Sequence, residues 1–353
     1  MPAAARSGRG SVVVRVRVAV NGYGTIGKRV ADAVAKQPDL ELVGVAKTRP
    51  SFEARRAVDL GYPLYLAADA RPSDFAAAGL PVAGSVKEMV ARADVVVDAT
   101  PDKVGAENRS LYDAANVRAI FQGGETASVA EVSFNALGNY AAARGKRRVR
   151  VVSCNTTGIS RAVSVLLPRW GVERWDVTLV RRAADPAESK KGPINGIVPS
   201  LHIPSHHGPD VRTIFPDLEI STVAVVVPTT LMHVHVNHVR LRSPPASAAE
   251  IVAALRSTPR FRLFAPWEQA NGTPQVMEFA RGRGLGLDDV PENVVWEDGV
   301  SLTGRDAYFF QAIHQESVTV PENIDAVRAM FDLAPDGAAS IAMTDRALGL
   351  ARA

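Results

Sequence analysis

Cys154 is the residue whose type and position point most directly to covalent chemistry. It is the only cysteine of the chain, and it lies between a strand-like segment at 148–153 and a helix-like segment at 159–167. A thiol at a helix N-terminus has a lowered pKa, because the helix dipole favours the thiolate. A lone cysteine is more often a small buried apolar residue, but the polar run at 155–157 argues against that here. We therefore interpret Cys154 as a nucleophile.

A glycine-rich turn predicts a dinucleotide site. Gly22, Gly24 and Gly27 form the pattern Gly-x-Gly-x-x-Gly after a β-branched strand at 12–20, and a second strand begins near Leu40. Glycines permit a tight turn and close approach of the backbone, so that the N-terminus of the next helix faces a pyrophosphate. A glycine-rich turn that binds nothing is the alternative, but the strand–turn–helix context favours the dinucleotide fingerprint.

The end of the second predicted strand bears on cofactor choice. An NAD-selective site normally has Asp or Glu there to bind the ribose 2′-hydroxyl. This chain has Lys47 and Thr48 and no carboxylate in the segment 46–49. A cation with a neighbouring hydroxyl suits a 2′-phosphate, so we predict that NADP is accepted along with NAD. The alternative is that Lys47 is a solvated loop lysine.

Several motifs in combination resemble one known family, the archaeal-type phosphorylating glyceraldehyde-3-phosphate dehydrogenases. The resemblance runs from about Val16 to the C-terminal helices. Bacterial and eukaryotic enzymes of that name carry a histidine about two dozen residues after the cysteine, whereas the first histidine after Cys154 here is His202. The motifs are Gly-Tyr-Gly-Thr-Ile-Gly at 22–27, Gln-Gly-Gly-Glu at 122–125, Ser-Cys-Asn-Thr-Thr-Gly at 153–158, Ser-His-His-Gly-Pro-Asp at 205–210 and Pro-Thr-Thr-Leu-Met-His at 228–233.

The resemblance implies a role for each matching residue. It implies that Cys154 is the nucleophile, that His233 is the general base, and that Arg182 contacts the cofactor or a phosphate. The implied dinucleotide contacts are Thr25, Ile26, Gly124 and Gln315, with Lys47 and Thr48 at the 2′-phosphate of NADP. The implied substrate contacts are Ser153, Cys154, Asn155, His206 and His207.

The implied reaction is the reversible oxidation of glyceraldehyde 3-phosphate with NAD(P)⁺ and inorganic phosphate, a step of glycolysis and gluconeogenesis. Cys154 would form a hemithioacetal and then a thioester, which phosphate attacks. A same-class alternative is another acyl-phosphate-forming enzyme such as a semialdehyde dehydrogenase. Alternatives of other classes are an RNA-binding protein that uses the basic N-terminus and a catalytically silent NADP sensor.

The remaining histidines and cations are open to other interpretations. His233 and His235 share a strand face, but no cysteine pair or HExxH-type spacing accompanies them, so we expect no metal site. We interpret His202, His235, His238 and His314 as structural. Two anions need binding, and the cations in the right segment are Arg181, Arg182, Lys190 and Lys191, of which the two lysines are more simply solvated.

The elements that must position these residues indicate an α/β protein. In the first half, apolar strands at 40–46, 95–99, 117–121 and 148–153 alternate with helical patterns at 28–36, 86–91 and 107–115. This alternation is typical of βαβ units in a Rossmann-type parallel sheet. We predict a dinucleotide-binding domain over residues 1–153, with a disordered tail at 1–11, completed by C-terminal helices at 317–353.

The second half predicts an α+β catalytic domain over residues 154–316. Long strands at 175–182, 221–227, 233–241 and 306–314 have few intervening helices, which favours a mixed or antiparallel sheet. Residues 183–220 are rich in glycine and proline without periodicity, and a segment of that length inside a compact domain usually has a function.

Composition excludes several classes of protein. The chain has 353 residues, a formal net charge of +4 and 46% hydrophobic residues, which are globular values. No apolar run approaches the ~18 residues of a membrane span, and a single cysteine excludes a disulfide scaffold, which favours the cytoplasm. Six cations precede the first acidic residue, Asp32, and the other residues include 35 basic and 37 acidic ones. Because the rest of the chain is nearly neutral, it lacks the broad positive surface that binds nucleic acid, and we expect no nucleic acid as partner. The family resemblance implies a homotetramer.

Overall fold

The fold class predicted from the sequence is confirmed in a computed structural model of the chain, which describes residues 15–101, 103–122, 124–184 and 192–350. The predicted disordered tail at 1–11 and the two lysines Lys190 and Lys191 lie outside these residues. The described strands are β1 Val16–Asn21, β2 Leu40–Lys47, β3 Leu64–Leu66, β4 Gly84–Ser85, β5 Val95–Asp98, β6 Arg118–Gln122, β7 Val132–Phe134, β8 Arg148–Val151, β9 Val172–Arg182, β10 Val198–Pro199, β11 Ile220–Val227, β12 His233–Leu241, β13 Phe261–Phe264, β14 Asn293–Trp296, β15 Ser301–Thr303 and β16 Asp306–Ile313.

The helices alternate with these strands in the first half and are fewer in the second. None of the described helices is long and apolar enough to cross a membrane. The α-helices are α1 Thr25–Ala35, α2 Phe52–Asp59, α3 Pro72–Ala77, α4 Val86–Val90, α5 Val104–Ala114, α6 Ala136–Asn139, α7 Cys154–Trp170, α8 His207–Arg212, α9 Ala248–Ser257, α10 Thr273–Gly282, α11 Val320–Met330 and α12 Gly337–Leu348.

The first sheet is parallel and has the strand order β4-β3-β2-β1-β5-β6-β8-β7. Successive side chains of a strand point to opposite faces, so Val18 and Val20 of β1 enter one apolar core and Ala19 enters another. Both faces are therefore covered, which explains why these strands are apolar in nearly every position. The carboxyl ends of β1, β2 and β5 meet at one edge, where a ligand site is expected in such sheets.

The second sheet is mixed and has the order β10-β11-β9-β12-β16-β14-β13, with β15 on β16. One face packs on α7 and α9 through residues such as Ile159, Trp175 and Ile251. The other face keeps Val236 and Phe310 exposed to solvent at 36% and 44%. The sequence analysis predicted no helix at α9 or α10, which are each ten residues long.

The C-terminal helices pack in the core of the first sheet. Ile324 and Val327 of α11 and Ile341 of α12 lie in the same apolar cluster as Val20 of β1. This packing supports the division into residues 1–153 with 317–353 and residues 154–316, which remains our proposal. A buried guanidinium, that of Arg260 before β13, ties the two parts together through carboxylates of α11 and α12.

Candidate active site

Two clefts share a wall between the sheets. The first, of about 370 Å³, lies at the carboxyl ends of β1, β2 and β5 and includes Gly22, Gly24, Thr25, Ile26, Lys47, Thr48, Arg182 and Gln315. The second, of about 270 Å³, lies at the start of α7 and includes Ile26, Gly124, Ser153, Cys154, Asn155, Arg181, His206, His207, His233 and Gln315. Ile26 and Gln315 line both clefts. Of the residues named from the sequence as site residues, Gly27 lines neither cleft.

The glycine turn fits a pyrophosphate. Gly22 has a φ of +96°, and a Cβ on Gly27 would lie 1.9 Å from the carbonyl oxygen of Gly22, so both positions require glycine. A Cβ on Gly24 would meet nothing within 4 Å, which leaves open space in front of the N-terminus of α1. Among the described residues no side chain caps this helix, and its first turn carries no acidic residue. Free amide groups and a positive dipole end suit an anion.

A carboxylate lies beside Lys47, contrary to our expectation from the segment 46–49. The Lys47 ammonium donates to the carbonyl of Tyr23 at 2.8 Å and to the Glu53 carboxylate. Glu53, in the first turn of α2, also pairs with Lys28 at 3.4 Å. Burial favours the protonated acid, but the two ammonium groups hold the pKa of Glu53 below its ordinary value. Any 2′-phosphate at Lys47 therefore competes with Glu53.

Cys154 is the first residue of α7 and is partly exposed in the second cleft. Ser153 caps the helix by accepting the Thr156 N–H. The expectation of a lowered thiol pKa is wrong for the ligand-free protein: desolvation raises the pKa of Cys154 to about 11, and the Arg181 and Arg182 cations offset only part of that rise. Burial therefore outweighs the helix dipole here.

His233 is the first residue of β12 and is buried. Its Nδ1 accepts the backbone N–H of Arg182 at 3.0 Å. Because that amide can only donate, the proton of the neutral ring lies on Nε2, and a hydrogen bond joins the ring to the Gln315 side chain. Burial and the Arg182 cation lower the pKa of His233 well below its usual value. At rest the ring is thus a neutral donor.

His206 and His207 stack on each other with ring centroids 4.0 Å apart. Although the segment that contains them is rich in glycine and proline, His207 is held firmly. Its ring is 2% exposed, and both nitrogens have partners, Ser205 Oγ at 3.0 Å and Asn155 Nδ2 at 3.4 Å. Burial, His206 and Arg181 lower the pKa of His207 to about 2.

Helix α8, which starts at His207, is attached to the start of α7 through Asp210. That carboxylate accepts the Thr156 hydroxyl at 2.7 Å and pairs with the buried Arg150 of β8. The predicted structureless segment therefore contains a short helix that is held on both the first sheet and α7.

Arg182 links the two clefts. Its Nε donates to Gln315 Oε1 at 3.0 Å, and its Nη1 lies 3.0 Å from a carboxylate oxygen of Glu316. Glu316 in turn lies 3.1 Å from His314 Nε2. The sequence analysis did not identify Glu316, Glu53 or Thr319 as site residues. Of these, only Glu53 could have been found from the sequence, because it lies six residues after Lys47 at the start of a helix that Ser51 caps.

Three of the four histidines that we interpret as structural form hydrogen bonds to other side chains. His235 bonds to Asn155 and Gln311, His238 to Asp306, and His314 to Ser317. Within the described ranges, no group of three or more His, Cys, Asp or Glu side chains could hold a metal ion.

Comparisons with known proteins agree with this arrangement. Residues 153–291 match the family described as glyceraldehyde 3-phosphate dehydrogenase, C-terminal domain, and residues 16–133 match the dihydrodipicolinate reductase N-terminus. A protein of Halobacterium salinarum named glyceraldehyde-3-phosphate dehydrogenase is 53% identical over 95% of this chain and 100% of its own length. Proteins of the same name from Archaeoglobus fulgidus and Hyperthermus butylicus are 49% and 48% identical, each over 96% of this chain and 99% and 98% of their own lengths.

Proposed function

The chain belongs to the glyceraldehyde-3-phosphate dehydrogenase family, and from that premise we propose that it oxidises glyceraldehyde 3-phosphate with inorganic phosphate and a nicotinamide dinucleotide. The observation that carries the proposal is the pair of adjoining clefts: one presents a glycine turn and helix N-terminus, the other a single thiol among histidines. The reaction belongs to glycolysis and gluconeogenesis. The relatives favour neither a semialdehyde dehydrogenase nor an RNA-binding protein.

In the proposed mechanism the Cys154 sulfur adds to the aldehyde carbon and forms a hemithioacetal. Loss of the hydroxyl proton and of hydride then converts it to a thioester, and a phosphate oxygen attacks the thioester and releases the thiolate. The bound dinucleotide supplies the hydride acceptor. Because the resting pKa of Cys154 is about 11, the thiol gives up its proton only as the sulfur adds to the aldehyde, and the former carbonyl oxygen takes that proton. Arg181 and Arg182 favour the sulfur anion during this step.

We propose His233 as the general base and His206 and His207 as substrate contacts. For His233 to accept the hydroxyl proton at Nε2, the ring must change tautomer: its proton moves from Nε2 to Nδ1, which ends the bonds to Gln315 and to the Arg182 N–H. His207 is the competing candidate because its Nε2 accepts a hydrogen bond at rest. At rest His233 is therefore a donor at Nε2 and His207 is an acceptor at Nε2, and mutation of each ring tests which of them is the base.

We propose that the dinucleotide contacts are Gly22, Gly24, Gly27, Thr25, Ile26, Gly124, Arg182 and Gln315, and that both NADP and NAD are used. Lys47 and Thr48 line the first cleft and support recognition of the 2′-phosphate. Glu53 opposes it by occupying the Lys47 ammonium. The expected result is measurable activity with both dinucleotides rather than exclusion of either.

The first test is an assay of the purified chain with glyceraldehyde 3-phosphate, phosphate and each dinucleotide, following the reduced cofactor. Activity must depend on phosphate and exceed that with aspartate semialdehyde. Absence of turnover with the triose, or RNA binding that falls with salt and survives loss of Cys154, would overturn the proposal.

The second test compares His233→Asn with His207→Asn. Loss of a general base lowers kcat by about 10²–10⁴-fold, and we expect that from His233→Asn with little change in KM. His207→Asn should mainly raise KM. If His207→Asn abolishes kcat while His233→Asn retains it, the base is His207.

A further inference from the structure

A continuous series of buried side chains runs from α7 to the substrate cleft. Arg161 Nη1 lies 3.4 Å from Asn293 Oδ1, and Asn293 Nδ2 lies 2.9 Å from Gln311 Oε1. Gln311 Nε2 lies 3.0 Å from His235 Nδ1. The series continues from His235 Nε2 to Asn155 Oδ1 at 2.9 Å, from Asn155 Nδ2 to His207 Nε2 at 3.4 Å, and from His207 Nδ1 to Ser205 Oγ at 3.0 Å.

The direction of the series is determined at its Arg161 end. A guanidinium only donates, so Asn293 presents its oxygen to Arg161 and its amide to the other side. The Asn293 amide also donates to the carbonyl of Gly158 at 2.7 Å, which requires the same orientation. Gln311 must then accept from Asn293 and donate to Nδ1 of His235.

The remaining protons follow one by one. With Nδ1 as acceptor, neutral His235 carries its proton on Nε2 and donates it to Asn155 Oδ1. The Asn155 amide then faces His207 Nε2 and donates to it. His207 therefore keeps its proton on Nδ1, from which it donates to Ser205 Oγ.

The far end of the series agrees with this direction, and reversing it would require the Thr222 hydroxyl to turn from the Ser205 carbonyl to Ser205 Oγ. The Thr222 hydroxyl donates to the carbonyl of Ser205 at 3.0 Å and also lies 2.8 Å from Ser205 Oγ. Because the one hydroxyl proton of Thr222 is already used, Ser205 must donate to Thr222. Its oxygen is then left to accept from His207, as the series requires.

Burial prevents water from exchanging with these groups. Arg161, Asn293, Gln311 and His235 are 0% exposed, and His207 is 2% exposed. Reversing one member would leave buried donors facing donors, and each such group would lose its hydrogen bond with no water to replace it. The desolvated rings stay neutral, in accord with pKa values lowered to about 3 for His235 and about 2 for His207.

We propose that Asn293, Gln311 and His235 are positioning residues that hold His207, which lines the substrate cleft, as a neutral ring with Nε2 as its acceptor nitrogen. An acceptor nitrogen can form a hydrogen bond with a hydroxyl group but not with an unprotonated phosphate oxygen. Glyceraldehyde 3-phosphate has one free hydroxyl, on C2, and His207 takes it in exchange for the long bond from Asn155. The choice of ligand rests on the proposed function, whereas the proton positions do not.

The primary test locates the protons in the full chain labelled with ¹⁵N-histidine. Two-bond ¹H–¹⁵N correlation spectra show which ring nitrogen is protonated, and His207→Asn and His235→Asn spectra assign the signals. We expect His207 protonated on Nδ1 and His235 on Nε2, without titration between about pH 5.5 and 9. A proton on Nε2 of His207, or titration of that ring in this range, overturns the proposal.

The second test reverses the series with Gln311→Glu. A carboxylate only accepts, so His235 must donate from Nδ1, the Asn155 amide turns over, and His207 becomes protonated on Nε2. We expect the KM for glyceraldehyde 3-phosphate to rise about tenfold, the value of one hydrogen bond, while the KM for the dinucleotide is unchanged. Gln311→Glu with His235 protonated on Nδ1 alone and His207 still protonated on Nδ1 overturns the proposal.

The matched control is Gln37→Glu, which also places a carboxylate at a buried glutamine but pairs it with Arg328, away from the series. It should leave both histidine signals and the KM unchanged. If Gln311→Glu does not fold, Gln311→Met interrupts the series without a charge and should give His207 in both tautomers. An inactive parent with His207 protonated on Nδ1 refutes only the proposed function, and an active parent with the opposite tautomer refutes only this inference.

Discussion

At the scale of single residues, Cys154 has a pKa raised to about 11 by desolvation although it begins a helix. The thiolate is the reactive form, so in the ligand-free protein we predict that iodoacetamide labelling is slow at pH 7 and accelerates about tenfold per pH unit up to about pH 10. Mass spectrometry over a pH series measures this rate. A rate that levels off near pH 9 would show an ordinary pKa, and one that levels off near pH 7 would show a lowered pKa.

Replacement of the same thiol separates chemistry from binding. Cys154→Ser should lose nearly all turnover and still bind NADP, because the dinucleotide cleft does not include residue 154. Turnover assays and dinucleotide titrations measure the two effects. Full activity after stoichiometric alkylation of the parent would contradict the assignment of Cys154 as nucleophile.

Lys47 and Glu53 should affect dinucleotide choice in opposite directions. Lys47→Asp should shift binding by about 2–4 kcal/mol against NADP relative to NAD, since one charge-assisted bond is lost and a repulsion is added. Glu53→Gln frees the Lys47 ammonium and should strengthen NADP binding several-fold without a similar gain for NAD. Dissociation constants for both dinucleotides measure the shifts.

The control for Glu53 is Asp59→Asn, which removes an exposed carboxylate from the other end of α2. It should leave the NADP-to-NAD ratio within about twofold, because exposed charges interact weakly. Equal ratios for Glu53→Gln and the parent would place the 2′-phosphate away from Lys47.

At the scale of elements, α11 and α12 are held by a guanidinium that is removed from solvent. Arg260 is fully buried and pairs with Glu322, Asp325 and Asp345. Arg260→Met leaves those carboxylates without their shared cation, and breaking a buried ion pair costs about 3–5 kcal/mol. We predict that loss in the free energy of unfolding, measured with denaturant.

Arg262→Met is the matched control, two residues further along the chain and within β13. Arg262 pairs with Glu268, and both side chains remain about one-fifth to one-quarter exposed. A partly solvated pair contributes about 1 kcal/mol or less, so the control should unfold close to the parent. Similar losses for the two variants would mean that the buried cluster does not hold the C-terminal helices.

Element prediction from the sequence succeeded where one pattern dominates. The predicted strand 233–241 has the bounds of β12, because its residues alternate between a buried and a solvent-facing side. Helix α7 is longer than predicted and begins at Cys154, since Ser153 caps it and Pro168 is accommodated inside it. Helix α8 was missed because six residues give no periodicity.

The sequence allowed us to predict those site residues that lie at strand ends and in turns. The carboxyl ends of parallel strands meet at one edge, so the grouping of Gly22 with Lys47 followed from topology. Glu53 and Gln311 could not be identified, because their roles depend on contacts made by the folded chain: Glu53 meets Lys28 from another helix, and Gln311 meets Asn293 from a neighbouring strand. The direction of the Cys154 pKa shift was predicted wrongly, because it depends on how deeply the folded chain buries the thiol.

At the scale of the whole molecule, three large apolar or aromatic side chains lie together on the solvent face of the second sheet, beside the polar group of His238, Arg240 and Asp306. Val236, Tyr308 and Phe310 are 36%, 42% and 44% exposed, and a contiguous exposed apolar patch commonly marks a protein interface. We propose the homotetramer implied by the family resemblance, with this face buried between copies. Light scattering after size exclusion should give four times the chain mass of 37.6 kDa.

Phe310→Lys tests which surface is used. A charge in an apolar interface carries a large desolvation cost, so we predict dissociation to smaller species. Leu60→Lys is the control, because Leu60 is 48% exposed on the first half of the chain. A tetramer that persists in Phe310→Lys would exclude this face as the contact.

The packing of α11 against α1 also bears on how the chain is made. A ribosome releases β1 and α1 long before α11 and α12, yet their side chains share one core. The nascent α1 therefore keeps Val30, Val34 and their neighbours uncovered until α11 has been synthesised. Such exposed intermediates are where chaperones bind and where aggregation begins, so the yield of this protein in a cell depends on how quickly its last helices follow the rest.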